Sequence, residues 1–409
     1  MSAFDRILTR REALQIGGVS LSSRCFLSSF QPYNVRAAAR VSPRGTAKCC
    51  IFVMLDGGQS HVDAWDLKEG RWTPPDFEVK EIQPGLKWPT ALYPRLAKQT
   101  GRFALVRSVE AGDSVHGRAQ YRVQAAHALN PALQREIPPI GAVVAMEFDG
   151  LRRPSDTLPP YVALNATESQ AGLLSSGFLP ASCSPFHVDT SGSSQEWHAQ
   201  AAGCFGITAR EHERYGATIT GDAAVIARNL VEAEAGTRFI FLQQNGWDHH
   251  RDIYHRGNHY RLCRDLDAAL SSLLEDLSER KGRAGKTLLE ETIVVCMSEF
   301  GRTPGEVTVL KGRDHHEHAF TVLAAGGGIE GGQIIGKTDE TGSRVIDGGW
   351  GAGRSVFMGD IAATIYSAMG IDWSKTIETT PSGRRFHYVE PFPSRRAMAR
   401  EISVLFGRA

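Results

Sequence analysis

Four short stretches of this 409-residue chain bring carboxylates, imidazoles and arginines close together. The first is Asp56-Gly57-Gly58, with Ser60, His61 and Asp63 just behind it. The second is Gly246-Trp247-Asp248-His249-His250. The third is Ser298-Glu299-Phe300-Gly301-Arg302. The fourth is Gly312-Arg313-Asp314-His315-His316-Glu317-His318, in which Asp314 to His318 put five acidic or imidazole groups in a row. Carboxylate oxygens mixed with neutral imidazoles suit zinc, manganese or iron, singly or as a pair. Two such ions ~4 Å apart could clamp a phosphate or sulfate ester and stabilise both attacking and leaving oxygens. Arg302 and Arg313 are placed to grip the remaining anionic oxygens with a guanidinium fork.

Each stretch also has a plainer explanation. Asp56-Gly57-Gly58 read alone is a turn, and Asp248-His249-His250 is a solvated loop. Glu299 is harder to dismiss, because a carboxylate at the mouth of a buried strand needs a cation or several donors. His116 and His127 fit a helix, packed or exposed. His187, His198, His212, His255 and His259 read as surface residues. Gly326 to Gly328 lack a P-loop lysine and read as a turn. Cys183 and Cys204 flank a polar segment that a disulfide could close, and no CxxC pair suggests a thiolate zinc site.

The elements that must position these residues alternate in type. Apolar runs at Cys49–Leu55, Phe103–Val109, Tyr161–Leu164, Arg238–Leu242, Thr292–Met297 and Phe320–Ala324 read as strands. Bounded by glycine and separated by helical stretches, they suggest parallel strands buried on both faces. The clearest helix spans His259 to Arg280, with Leu262, Leu266, Ala269, Leu270, Leu273, Leu274 and Leu277 on one face. Others are expected from Asp360 as N-cap to Gly370, and over Gly117–Leu129. The fold class is therefore α/β, a doubly wound, mostly parallel sheet with helices on both faces. Ligand crevices in such sheets lie beyond the carboxyl ends of the strands, and most of the four stretches follow strand ends.

Composition narrows the function classes. Lys and Arg number 46 against 45 Asp and Glu, a balance that argues against a nucleic-acid binder. No apolar run after the first thirty residues approaches the ~20 residues needed to cross a bilayer. Arg10-Arg11, followed by a weakly apolar Gly/Ser-containing stretch and Ala37-Ala38-Ala39, reads as a twin-arginine export signal. This gives a leader over residues 1–39 and a single domain over 40–409, with loop insertions near 65–94 and 178–197. The mature protein would be periplasmic or secreted.

Taken in order, LDGGQSHVDAWDLK (55–68), GWDHH (246–250), SEFGRTP (298–304), GRDHH (312–316), AGGGIEGGQIIGKTDE (325–340) and the helix DIAATIYSAMGID resemble the domain-of-unknown-function family 1501 of exported bacterial proteins. That family is similar to the alkaline phosphatase and sulfatase superfamily. The resemblance implies a metal-dependent hydrolase of phosphate or sulfate esters, using one or two divalent ions (Zn, Mn, Ca or Mg). It implies Asp56 or Asp63 as first ligand, then Asp248 and His250, Glu299 and His315, with Asp314 as a further ligand or a partner of His315. Ser114, before an expected helix start, is the nucleophile by position, and Ser60 is the alternative or a substrate contact. Arg302 would stabilise developing charge, Arg313 would bind substrate, and His116 would position the ester or protonate the leaving group. The pair is spaced Asp-x-His, unlike phosphatases, and no Cys-x-Pro-x-Arg sulfatase signature is present. Substrates would be small-molecule or polysaccharide esters. The competing reading is a non-catalytic module that binds sulfated or phosphorylated polymers.

Overall fold

The computed structural model describes residues 35–37, 41–167, 174–191, 203–391 and 398–407. The expected leader lies outside them, except that Val35–Ala37 pair antiparallel with Lys375–Ile377. Cys25 and His198 also lie outside.

Every apolar run read as a strand is one. In chain order the central strands are β1 (Cys49–Asp56), β2 (Phe103–Val109), β3 (Tyr161–Leu164), β4 (Phe186–Val188), β5 (Phe239–Asn245), β6 (Thr292–Met297), β7 (Phe320–Ala325) and β8 (Ile334–Ile335). They form one eight-stranded sheet in the order β8-β2-β7-β6-β1-β5-β3-β4. β1 sits near the middle, parallel to both β5 and β6.

Alternation along β1 shows why its sequence is apolar throughout. Cys50, Phe52 and Met54 enter one core, and Cys49, Ile51, Val53 and Leu55 enter the other. A strand with cores on both faces has no solvent side on which to place polar residues. Helices α1 (His116–Ala125), α2 (Ile140–Asp149) and α5 (Met358–Ala368) cover the first face. Helices α3 (Ile219–Ala233) and α4 (Arg261–Glu279) cover the second. The doubly wound architecture is present.

Several details differ from expectation. β7 runs antiparallel to both of its neighbours, β2 and β6. The segment between β6 and β7 contains no crossover helix. It turns back through a short antiparallel pairing of Gly301–Arg302 with His315–His316, so β7 starts at the edge where β6 ends. Helix α5 begins two residues before Asp360, with Phe357 as N-cap. Asp360 instead accepts the Phe357 N–H at 2.9 Å and pairs with Arg354 at 2.6 Å, satisfying helix donors from inside the first turn. Cys183 and Cys204 are free thiols. No helix among the described residues is long and apolar enough to cross a membrane.

Candidate metal centre

The register of the sheet brings the four stretches to one edge. Asp56 pairs with Asn245, so β1 and β5 end at the same level and release Gly57 and Gly246 side by side. Met297 pairs with Met54, which puts Glu299 at that edge too. Because β7 is reversed, the residues that precede it arrive at the same edge. His315 therefore joins residues that follow parallel strands.

Gly57 is required by this convergence. Its φ is +112°, and a Cβ there would stand 2.5 Å from the Asp248 nitrogen. The chain after β1 and the Asp248 turn pass too closely for any side chain.

Four side chains converge in this space: His116, Asp248, His250 and His315. The His250 and His315 Nε2 atoms lie 2.9 Å apart. Asp248 Oδ1 stands 3.0 Å from His250 Nε2, 3.3 Å from His116 Nε2 and 3.4 Å from His315 Nε2. Each ring is fixed from its other nitrogen. His116 Nδ1 donates to Glu299 at 2.7 Å, His250 Nδ1 to Asp314 at 2.9 Å, and His315 Nδ1 to the Ser114 carbonyl at 2.7 Å. These acceptors put the proton on Nδ1 in all three rings, so in the neutral rings every Nε2 presents a lone pair to the cluster. His116 Nε2 is buried without a hydrogen bond. Two facing lone pairs 2.9 Å apart repel unless a proton or a metal cation lies between them. Four ligands at ~2.0–2.1 Å from one ion stand roughly 3.3 Å from each other, and Asp248 Oδ1 lies at about that distance from each of the three Nε2 atoms, while the whole group falls within 4.8 Å. Imidazoles that donate their second N–H to a carboxylate or carbonyl are the usual supports of metal ligands.

The surroundings explain how the group is held. Glu299 is fully buried and accepts the Gly57 N–H at 3.0 Å as well as His116. The donors that a buried carboxylate needs are thus supplied by a turn and a ring. Phe300 packs against His116 and His315 with centroids 4.8 and 4.6 Å away. Asp56 accepts from Gln243 at 3.0 Å and from Gln120, just outside the cluster. Burial, followed by the charge of Glu299, pushes the Asp56 carboxyl up to about 6. Burial opposes the charged form of His116, but contacts with Asp248 and Glu299 and their charges outweigh it and lift the ring to about 9. Burial likewise opposes the charge on Asp248, yet His116, His315 and Arg302 hold it far below the usual carboxylate range. Asp56, Asp248 and Glu299 form a carboxylate-rich environment that favours positive charge.

The remaining expected site residues are elsewhere or differently employed. Asp63 is buried in an ion pair with Arg313 at 2.7 Å, and also accepts from Ser60 at 2.6 Å and Tyr254 at 2.9 Å. Burial disfavours its charge, but the Arg313 guanidinium holds it below the usual range. With its oxygens engaged, Asp63 does not join the cluster, and Ser60 serves Asp63. Arg313 cannot clamp a substrate either, because its other donors go to the Thr303 and Gly305 carbonyls. Arg302 is fully buried, donates to the Gly58 and Arg313 carbonyls, and reaches Asp248 at 2.5 Å. It orients a cluster member. His116, expected to position the ester or protonate the leaving group, stands among the convergent atoms. Its position at the start of α1, just beyond a strand at the same edge, was the available signal. Gln120 and Gln243 carried no such signal. His259, read as a surface residue, is buried between Phe77 and Trp247.

Residues 47–212 and 198–398 match the family described as protein of unknown function (DUF1501). The chain belongs to the DUF1501 family. No curated protein matches it. Among solved structures, the DUF1501 chain is similar to a protein in the alkaline phosphatase superfamily from Vibrio parahaemolyticus. The two are 11% identical, with a TM-score of 0.44, over 89% of this chain and 76% of that one. It is also similar to a phosphonate monoester hydrolase from Silicibacter pomeroyi, at 12% identity and a TM-score of 0.44, over 88% and 77% of the two chains. A third is the C-terminal periplasmic domain of EcEptC from Escherichia coli, at 13% identity and a TM-score of 0.43, over 90% and 91%.

Proposed function

We propose that this DUF1501 protein is an exported hydrolase of phosphate or sulfate esters that holds one divalent cation between His116, Asp248, His250 and His315. The convergence of three Nε2 lone pairs on Asp248 Oδ1, with each Nδ1 tied down, carries this reading. Three nitrogens and one oxygen suit zinc or a similar transition metal better than calcium or magnesium, which prefer oxygen. A bound ion of this kind supplies Lewis-acid polarisation of an ester oxygen and an acidified water. Asp248, His250 and His315 are partly exposed, so an ester can reach them from solvent.

The chain's own groups divide the remaining work. Ser114 lies just before α1 and orients His315 through its carbonyl, which leaves its hydroxyl as the candidate nucleophile beside a helix N-terminus. Arg302 and Glu299 keep Asp248 and His116 in place. Water adds across the ester bond, giving an alcohol and free phosphate or sulfate. The Arg10-Arg11 leader supports export, and Arg10→Lys/Arg11→Lys should retain a fused reporter in the cytoplasm.

With Arg302 and Arg313 both engaged within the fold, neither is free to stabilise charge developing on an ester, which favours a second reading: a module without turnover that holds anionic polymers through other residues. Metal analysis of purified protein, followed by assay with nitrophenyl phosphate and nitrophenyl sulfate, separates the two. Metal with turnover supports the hydrolase, and binding of a sulfated or phosphorylated polymer without turnover supports the binding module. His315→Ala should lose the metal and remain folded. Full metal occupancy in that variant overturns the assignment.

A further inference from the structure

The edge of the sheet opposite the cluster carries a basic cleft of about 390 Å³. It lies between the segment that leads into β2 and the second half of α4. Arg95, Lys98, Arg102 and Arg214 line it, with Glu275 as the sole acidic lining residue. Glu275 is already paired with Arg214 at 2.8 Å. Among the described residues no carboxylate lies within ion-pairing distance of the Arg95, Lys98 or Arg102 head groups. Arg214 also pairs with Asp276 at 2.5 Å, so its charge is matched within the fold. Asp267 faces inward and accepts the backbone N–H groups of Arg95 and Leu96 at 3.0 and 2.8 Å, which leaves Arg95, Lys98 and Arg102 as the cations of the cleft. Arg95 is held over the cleft by donating to the Arg214 carbonyl at 2.8 Å.

The other lining groups are small and polar. Ser272 accepts from Arg95 at 3.3 Å and donates to the Arg214 carbonyl at 3.1 Å, which helps hold the arginine over the cleft. Ser271 lines the same wall and Gln99 the segment that leads into β2. No aromatic ring lines the cleft, so there is no platform on which nucleic-acid bases could stack. Unpaired cations in an open, polar cleft without aromatics suit the anionic groups of a carbohydrate. β2 alone spans about 23 Å, at ~3.3 Å for each of its seven residues, and separates this cleft from the cluster edge. One small ester cannot occupy both places, but a polymer can.

We propose that this cleft is a remote subsite that binds the sulfate or phosphate groups of an anionic polysaccharide. This identifies the substrate class and rests on the hydrolase reading only for the fate of the bound polymer. Affinity of the full metal-loaded chain for heparin and for inorganic polyphosphate, over a range of salt, tests it. Wild type should bind at least one of these probes, and which one it prefers tells whether sulfate or phosphate is recognised. Lys98→Glu/Arg102→Glu should weaken that binding on the order of tenfold or more and flatten its salt dependence, with metal content and nitrophenyl ester turnover unchanged. If the glutamates prevent folding, Lys98→Ala/Arg102→Ala should shift affinity the same way. Absence of binding to both probes, undiminished binding in a folded variant, or equal affinity for single-stranded DNA overturns the proposal. Loss of polymer binding with ester turnover intact would leave the hydrolase standing, and the reverse would sink the hydrolase alone.

Discussion

Removing charge from the two carboxylates that orient the imidazoles should weaken the cation unequally. Asp314 is 63% exposed and holds His250 through one oxygen, so water can replace it. Glu299 is fully buried and accepts from both His116 and Gly57, and nothing can replace it. Losing such an outer partner usually costs 10–100-fold in metal affinity, about 1.4–2.7 kcal/mol. Asp314→Asn should fall near the lower end and Glu299→Gln near the upper. Cation present at 100 times its Kd stabilises the fold by about 2.7 kcal/mol, and a 100-fold loss of affinity would leave about 0.4 kcal/mol of that. The rise in Tm on adding zinc should therefore shrink to a small remnant in Glu299→Gln and persist in reduced form in Asp314→Asn. Competition with a chelating dye gives the affinities directly, and calorimetry with and without zinc gives the Tm. Equal affinity in wild type and Glu299→Gln, or a larger loss in Asp314→Asn, would refute the claim that Glu299 acts on the ion through His116.

Gly57→Ala should destabilise the fold by ~1–3 kcal/mol and lower metal affinity, because its methyl must displace the Asp248 turn. Wild-type affinity in that variant would count against the close approach. Arg313→Met should cost ~3–5 kcal/mol in chemical denaturation by leaving Asp63 buried and unpaired, with Asp63→Asn/Arg313→Met recovering part of it. A loss below ~1 kcal/mol would show that the pair bears little load. Glu211 forms a capping box with Thr208, and although burial opposes its charge, Thr208 and Arg228 draw its carboxyl down to about 2. A depressed folded-state value stabilises above the unfolded value near 4.5 and loses that effect as pH falls toward 2. The stability gap between wild type and Glu211→Gln should accordingly close over that window, and a gap independent of pH would contradict it.

The strands were legible because β1, β5, β6 and β7 have cores on both faces and are apolar along most of their length, turning polar mainly at the ends that reach the site. Their direction was not, since an apolar run reads the same for a parallel and an antiparallel strand. The reversal of β7 depends on the absence of a crossover helix after Glu299. β4 and β8, with three and two residues, are too short to show a pattern. At the site, Asp248, His250 and His315 stood out as ionisable groups beside strand ends. Asp63 and Arg313 drew attention for the same reason, but their mutual pairing across 250 residues is a tertiary fact that no local spacing encodes. His116 was visible as a helix-start histidine, while its part in the cluster depends on how α1 sits against the β6 turn.

The reversed strand β7 also bears on how the protein matures. His116 and His315 meet only after β7 has docked between β2 and β6, and its pairing with β2 closes the whole span from Val109 to Phe320. Entropy makes such long closures late events. On the proposed reading a cation would therefore find no preformed pocket in the nascent chain. It would enter a finished scaffold through the solvent-facing side of Asp248 and His250, and a chelator should strip it without unravelling the sheet.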